Sequence, residues 1–156
     1  MTSEPMASNV EYRLALRIWH PVFPPERISN ELGFPIGGGW AVGSTRKSVT
    51  GDILSPQTMT YWTSPFEPEN PDGLSGIILA LCRRLDPQVA FLREIRATGG
   101  RIEFFVGWFS GTHSGETLEF SLLQMVGRLE ADLALDVYAE PQAVAQHAQQ
   151  TRPSGR

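Results

Sequence analysis

From Val10 to Trp19 the chain alternates. Val10, Tyr12, Leu14, Leu16 and Ile18 share one parity, and Glu11, Arg13, Ala15, Arg17 and Trp19 the other. Period two over a run of this length predicts a half-buried strand. Proline suits a helix's first turn and glycine its end, so Pro25 to Leu32, followed by Gly33, is a short helix with Ile28 and Leu32 on one face. Trp40 to Ser44 is a candidate strand, Val49 to Gln57 is loop-like, and Thr58 to Ser64, rich in Thr and aromatics, is a further strand. Pro65 to Gly73 carries three prolines and is a loop. Leu74 to Leu85 has Ile77, Ile78, Leu81 and Leu85 on one side and is a helix. Asp86-Pro87 breaks it and starts a second helical segment with Val89, Leu92 and Ile95 inward, which Gly99-Gly100 ends.

Arg101 to Ser110 is a strand with Ile102, Phe104, Val106 and Trp108 on one face and Glu103, Phe105, Gly107 and Phe109 on the other. GTHSG reads as a turn, and ETLEF, ending at Phe120, as the returning strand of a hairpin. Ser121 and Gln124 have capping-box spacing, flanked by Phe120 and Met125 as a staple, and the helix they start is expected to reach about Asp132. Leu133 to Ala139 closes as a strand. The order β-α-β-β-α-β-β-α-β describes an α+β fold: a mostly antiparallel sheet of about five to six strands, with two or three helices on one face. Residues 10–139 form one domain, and residues 1–9 and 140–156, which lack an apolar stripe, are expected to be mobile.

Composition narrows the function classes. The 156 residues are 41% hydrophobic, enough for a real core, and the formal charge of −4 gives no basic footprint for nucleic acid. The opening MTSEPMASNV has no signal-like apolar core, and the longest apolar run, Ile77 to Cys82, is far short of a membrane span. A cytoplasmic location is expected, and the single Cys82 excludes an internal disulfide.

Chemistry is scarce. FPIGGGWAVGSTRK spaces Gly38 and Gly43 as a phosphate loop would, but Ser44 stands where the lysine belongs and no helix follows. The dinucleotide spacing also fails, because Gly39 and Gly43 have three residues between them. A glycine turn or bulge admitting a strand remains. His20, His113 and His147 show no metal spacing, and no metal or cofactor is expected. No Gly-x-Ser-x-Gly elbow occurs, Cys82 sits on a buried helix face, and Glu67, Glu69 and Asp72 are read as solvated loop acids. No residue is singled out as catalytic.

One surface exceeds this background. With helices on one face of the sheet, Arg13, Arg17, Trp19, Phe105 and Phe109 fall on the other. Clustered aromatics beside arginine have the composition of an interface, for a protein partner or for self-association.

The opening strand, PPERISNELGF, the glycine turn, YWTS, LCRRLDPQVAFLREI, RIEFFVGW and LLQMVGRLEADLALDVYA together resemble the bacterial domain-of-unknown-function family 4279 over about Val10 to Ala139. Trp62, Asp136 and Tyr138 fall on its landmarks. The resemblance implies a small cytoplasmic α+β domain without assigned activity, and it assigns no catalytic residues. Three readings stay open. One is a non-enzymatic protein-binding module, with an immunity-type protein that neutralises a toxin as one form. Another is a small-ligand binder with a pocket of Trp40, Arg46, Trp62 and His20. The third is an enzyme using loop carboxylates and His20.

Overall fold

The computed structural model describes residues 10–69 and 72–139; the expected mobile segments 1–9 and 140–156 lie outside the described residues. Five strands form one mixed sheet: β1 (Val10–His20), β2 (Gly38–Trp40), β3 (Thr60–Phe66), β4 (Arg101–Ser110) and β5 (Ala131–Ala139). The helices are α1 (Pro25–Leu32), α2 (Gly73–Leu85), α3 (Val89–Ala97) and α4 (Phe120–Arg128), with a 3-10 turn, Asp86–Gln88, joining α2 to α3. The strand order is β2-β3-β1-β4-β5, antiparallel except for the parallel pair β4–β5. The α+β class, the mostly antiparallel sheet and the helical layer agree with the pattern of the sequence.

The core lies on one side of the sheet. Leu14, Leu16 and Ile18 of β1, Trp62 of β3 and Ile102, Phe104 and Val106 of β4 are buried together with Ile28, Leu32, Ile78, Leu81, Leu85, Leu92 and Ile95 from the helices. Apolar burial on this scale is the main stabilising term, at roughly 1.5–3 kcal/mol per large side chain. In α3 the inward face is Phe91, Leu92 and Ile95, with Val89 half-buried at the edge.

Several expectations change. The expected hairpin strand ending at Phe120 does not form. Residues 111–119 instead lie across one end of the molecule, where their polar groups are taken by neighbours. Glu116 Oε1 accepts from the Tyr12 hydroxyl at 3.2 Å and from the Leu74 backbone N–H at 3.4 Å, and Ser75 Oγ donates to the Thr117 carbonyl at 3.4 Å. Glu116 therefore caps α2 from a distant segment, while Asp72, at the N-cap position, makes no side-chain cap. Without that strand, β4 crosses over through α4 to β5, and the crossover makes the last pair parallel.

The expected capping box also fails. The helix begins at Phe120 with Glu119 as an uncapped N-cap, and Ser121 is already inside the first turn. It ends at Arg128, where Glu130 takes a left-handed φ of 56°, so β5 starts at Ala131, two residues earlier than expected.

Finally, β2 lies inside the glycine run, at Gly38–Trp40, rather than at Trp40 to Ser44. Gly39 has φ +120°, and a Cβ there would collide with the Tyr61 carbonyl. Glycine thus lets β2 approach β3. β3 extends through Pro65, assigned to a loop from sequence. The Thr63 carbonyl accepts the Gly37 N–H at 2.8 Å, so the Pro65 nitrogen, of the same parity, points past the end of β2, where no ladder bond is lost.

Candidate functional site

Strand register assigns each residue to a face. The side away from the core carries Trp40 of β2, Tyr61, Thr63 and Pro65 of β3, and Glu11, Arg13, Ala15, Arg17 and Trp19 of β1. It continues with Arg101, Glu103, Phe105, Gly107 and Phe109 of β4, then Asp132, Ala134, Asp136 and Tyr138 of β5. Across the strands these residues form rows. Trp40, Tyr61, Trp19 and Arg101 make the first, and Glu11, Phe109 and Tyr138 the last. Between them run a charged row (Arg17, Glu103, Asp132), a low row (Ala15, Phe105, Ala134) and a second charged row (Arg13, Gly107, Asp136).

Ring stacking runs along the first and last rows, and two arginines each reach from one row to the next. Trp40 packs on Tyr61 at 4.9 Å and Tyr61 on Trp19 at 5.1 Å between ring centroids. Phe109 lies parallel to Tyr138 at 4.7 Å. Every arginine of the face covers a ring: Arg46 sits 5.0 Å from Trp40, Arg101 4.5 Å from Trp19, Arg17 3.4 Å from Phe105 and Arg13 5.2 Å from Phe109. Such a contact contributes about 0.5–1 kcal/mol at an exposed site and more when desolvated. Glu103 is buried on this otherwise wet face because Arg17, at 3.7 Å, and Arg101 close over it. Asp132 extends the network to Arg96 at 3.0 Å and Arg101 at 3.4 Å. The Arg17 Nε is buried and donates to no described group.

Trp19, Phe105 and Phe109 are half-buried, under arginine and tyrosine side chains of the same face. Arg13 is exposed and pairs with Glu11 at 2.8 Å. All five residues singled out from sequence for a partner surface thus share one surface. Sequence reading missed Trp40, Tyr61, Arg101 and Tyr138 as members of it. Arg101 shares the parity of Glu103 within β4 and was readable, whereas the face of β2, β3 and β5 depends on pairing partners.

The four residues proposed for a ligand pocket do not come together. Trp40 and Arg46 stack on the sheet's open face, whereas Trp62 and His20 are buried on the core side. Trp62 donates its indole N–H to Ser29 Oγ at 2.8 Å. His20 stacks on Phe23 at 3.6 Å. Its Nδ1 accepts the backbone N–H groups of Val22 at 3.0 Å and Phe23 at 2.8 Å, so Nε2 carries the proton and donates to Thr98 Oγ1 at 2.7 Å. Burial, and then the Arg27 charge, lower its pKa, with Glu94 opposing. This histidine is a neutral structural link between the end of β1 and the end of α3. Burial also pushes the Cys82 thiol up to about 11. His113 is exposed in the loop after β4, and His147 lies outside the described residues. Among the described residues no three His, Cys, Asp or Glu side chains gather as a metal site.

Fold and surface together define an α+β protein with aromatic and charged side chains spread over the open face of its sheet. The chain belongs to the family described as Domain of unknown function (DUF4279), whose model matches residues 10–140. No curated protein and no solved structure matches it. Among the described residues, no helix is long and apolar enough to cross a membrane.

Proposed function

We propose that this chain is a non-enzymatic protein-binding module whose contact surface is the helix-free face of the sheet. The observation that supports it is the set of Trp40, Tyr61, Trp19, Phe105, Phe109 and Tyr138, each aromatic stacked on another ring or beneath an arginine, on the side away from the core. Five strands about 4.8 Å apart and five rows about 6.8 Å apart give a footprint of roughly 19 by 27 Å. That is the scale of a protein contact, not of a pocket that wraps a small molecule. Tryptophan, tyrosine and arginine are the types that dominate binding energy at interfaces. Arg13, Arg17, Arg46 and Arg101 are balanced by Glu11, Glu103, Asp132 and Asp136, which favours a partner of mixed charge over a polyanion.

The test begins with a partner recovered on the tagged chain and then purified. Trp19→Asp and Phe105→Asp are each expected to weaken its binding at least ~30-fold, the loss of one hot spot. Arg93→Glu, on the exposed side of α3, should leave affinity unchanged. Equal affinity for parent and both aspartate variants, with all melting temperatures similar, would sink the reading. If the partner is a toxin, as the immunity-type reading holds, the same variants should release its activity.

A further inference from the structure

The two edges of the sheet differ in kind. The β2 edge is three residues long and contains Gly38 and Gly39, so it offers little to a passing strand. The β5 edge is nine residues long, and its register with β4 runs without a bulge from Ala131 to Ala139. It contains no proline and no lysine, the usual guards of such an edge. Among the described residues no strand pairs with its outer side. Apolar side chains are exposed along it: Leu135 is 45% and Val137 60% accessible. α4, which packs on β5, adds Phe120 at 75% and Leu123 at 46%. Arg128 of α4 reaches Asp86 beyond α2 at 3.2 Å, and Leu123 stands about 140° around the helix from it, on the flank away from α2.

We infer that β5 pairs antiparallel with β5 of a second copy, joining two five-stranded sheets into one across a two-fold axis at Leu135. Charge permits a second copy and narrows the register. A two-fold axis perpendicular to the sheet keeps the helical layers on one side and pairs residues of equal parity. Centred on Leu135, all nine residues pair: Asp132 faces Tyr138 of the second copy, Ala134 faces Asp136, Leu133 faces Val137, and Leu135 faces itself. Centred on Ala134, Asp132 would face Asp136; centred on Asp136, that carboxylate would face its own copy; centred on Leu133, Glu130 would face Asp136. Like charges directly opposite are destabilising. A register centred on Val137 also avoids like charges but pairs only five residues of the strand, so the longest register, centred on Leu135, combines full pairing with no like-charge pair, as a self-complementary two-fold contact requires. The edge borders the face assigned to partner binding and shares Asp132, Asp136 and Tyr138 with it, but the proposal does not rest on that assignment.

Light scattering and sedimentation of the full chain over a wide concentration range test it. A particle of about twice 17.3 kDa is expected, dissociating on dilution. Leu135→Lys and Val137→Lys should abolish it with unchanged circular dichroism, whereas Trp19→Asp should leave it intact. Because Lys variants can fail to fold, a milder route is also needed. In a Cys82→Ala background, Leu135→Cys places two cysteines on the two-fold axis and should cross-link quantitatively on oxidation. Asp132→Cys, six residues from its own copy in this register, should not. A 17.3 kDa particle at every concentration overturns the proposal, as does a dimer indifferent to both lysines. So does a monomer whose outward β5 amides resist hydrogen exchange, which would place another segment of the same chain on this edge.

Discussion

At the scale of single residues, His20 makes a clear prediction. Its Nδ1 accepts two backbone N–H groups, and a second ring proton would abolish that acceptor. The native pKa is lowered, so the unfolded chain binds the proton first. The stabilisation is full above the ordinary value near 6.5, is lost as pH falls from there through the native pKa, and is constant below it. Urea midpoints measured across the weakly acidic range should fall with pH, and His20→Gln should flatten that slope while lowering the midpoint overall. Cys82 gives a second expectation. With its thiol raised to about 11 and buried, it should resist an aromatic disulfide reagent at pH near 8 until the protein is denatured. Both residues could be assigned from sequence to a strand end and a helix face, but the two backbone donors that hold His20 neutral come from a turn no periodicity describes.

At the scale of elements, legibility followed the length of the pattern. β1 and β4, with ten alternating residues each in the sequence, were read nearly to the residue. ETLEF offered only five residues, and tertiary bonds from Tyr12, Leu74 and Ser75 decided its conformation. Glu116→Gln should therefore cost stability of about 1 kcal/mol, the size of a lost helix cap. The same change should bring Tyr12, raised to about 12 by burial and then by Glu116, part of the way back toward 10, as an ultraviolet pH titration would show. The glycine run was ambiguous because close backbone approach leaves no side-chain signature. Gly39→Ala is expected to destabilise more than Gly43→Ala by over ~1 kcal/mol in chemical unfolding, since both have positive φ but only Gly39 meets another backbone.

At the scale of the molecule, the sheet divides the chain into a side that holds it together and a side that does not. Leu16 and Ala15 are neighbours in sequence on opposite sides. Leu16→Ala should cost about 2–5 kcal/mol, and Ala15→Ser within about 0.5 kcal/mol, in the same unfolding assay. Five members of the open face were legible because β1 and β4 each kept a strict alternation. Its remaining aromatics were not, since pairing order is set by long-range contacts that local spacing does not encode. β1, the first strand of this sheet to be synthesised, is also its middle, flanked by β3 and β4. Its partner β4 ends a hundred residues later, at Ser110 against Val10. At ordinary translation speeds of roughly 5–20 residues per second, the nascent chain carries Leu14, Leu16 and Ile18 without their final neighbour for about 5–20 s. Those seconds, before the fourth strand emerges, are when chaperones have most reason to hold this protein.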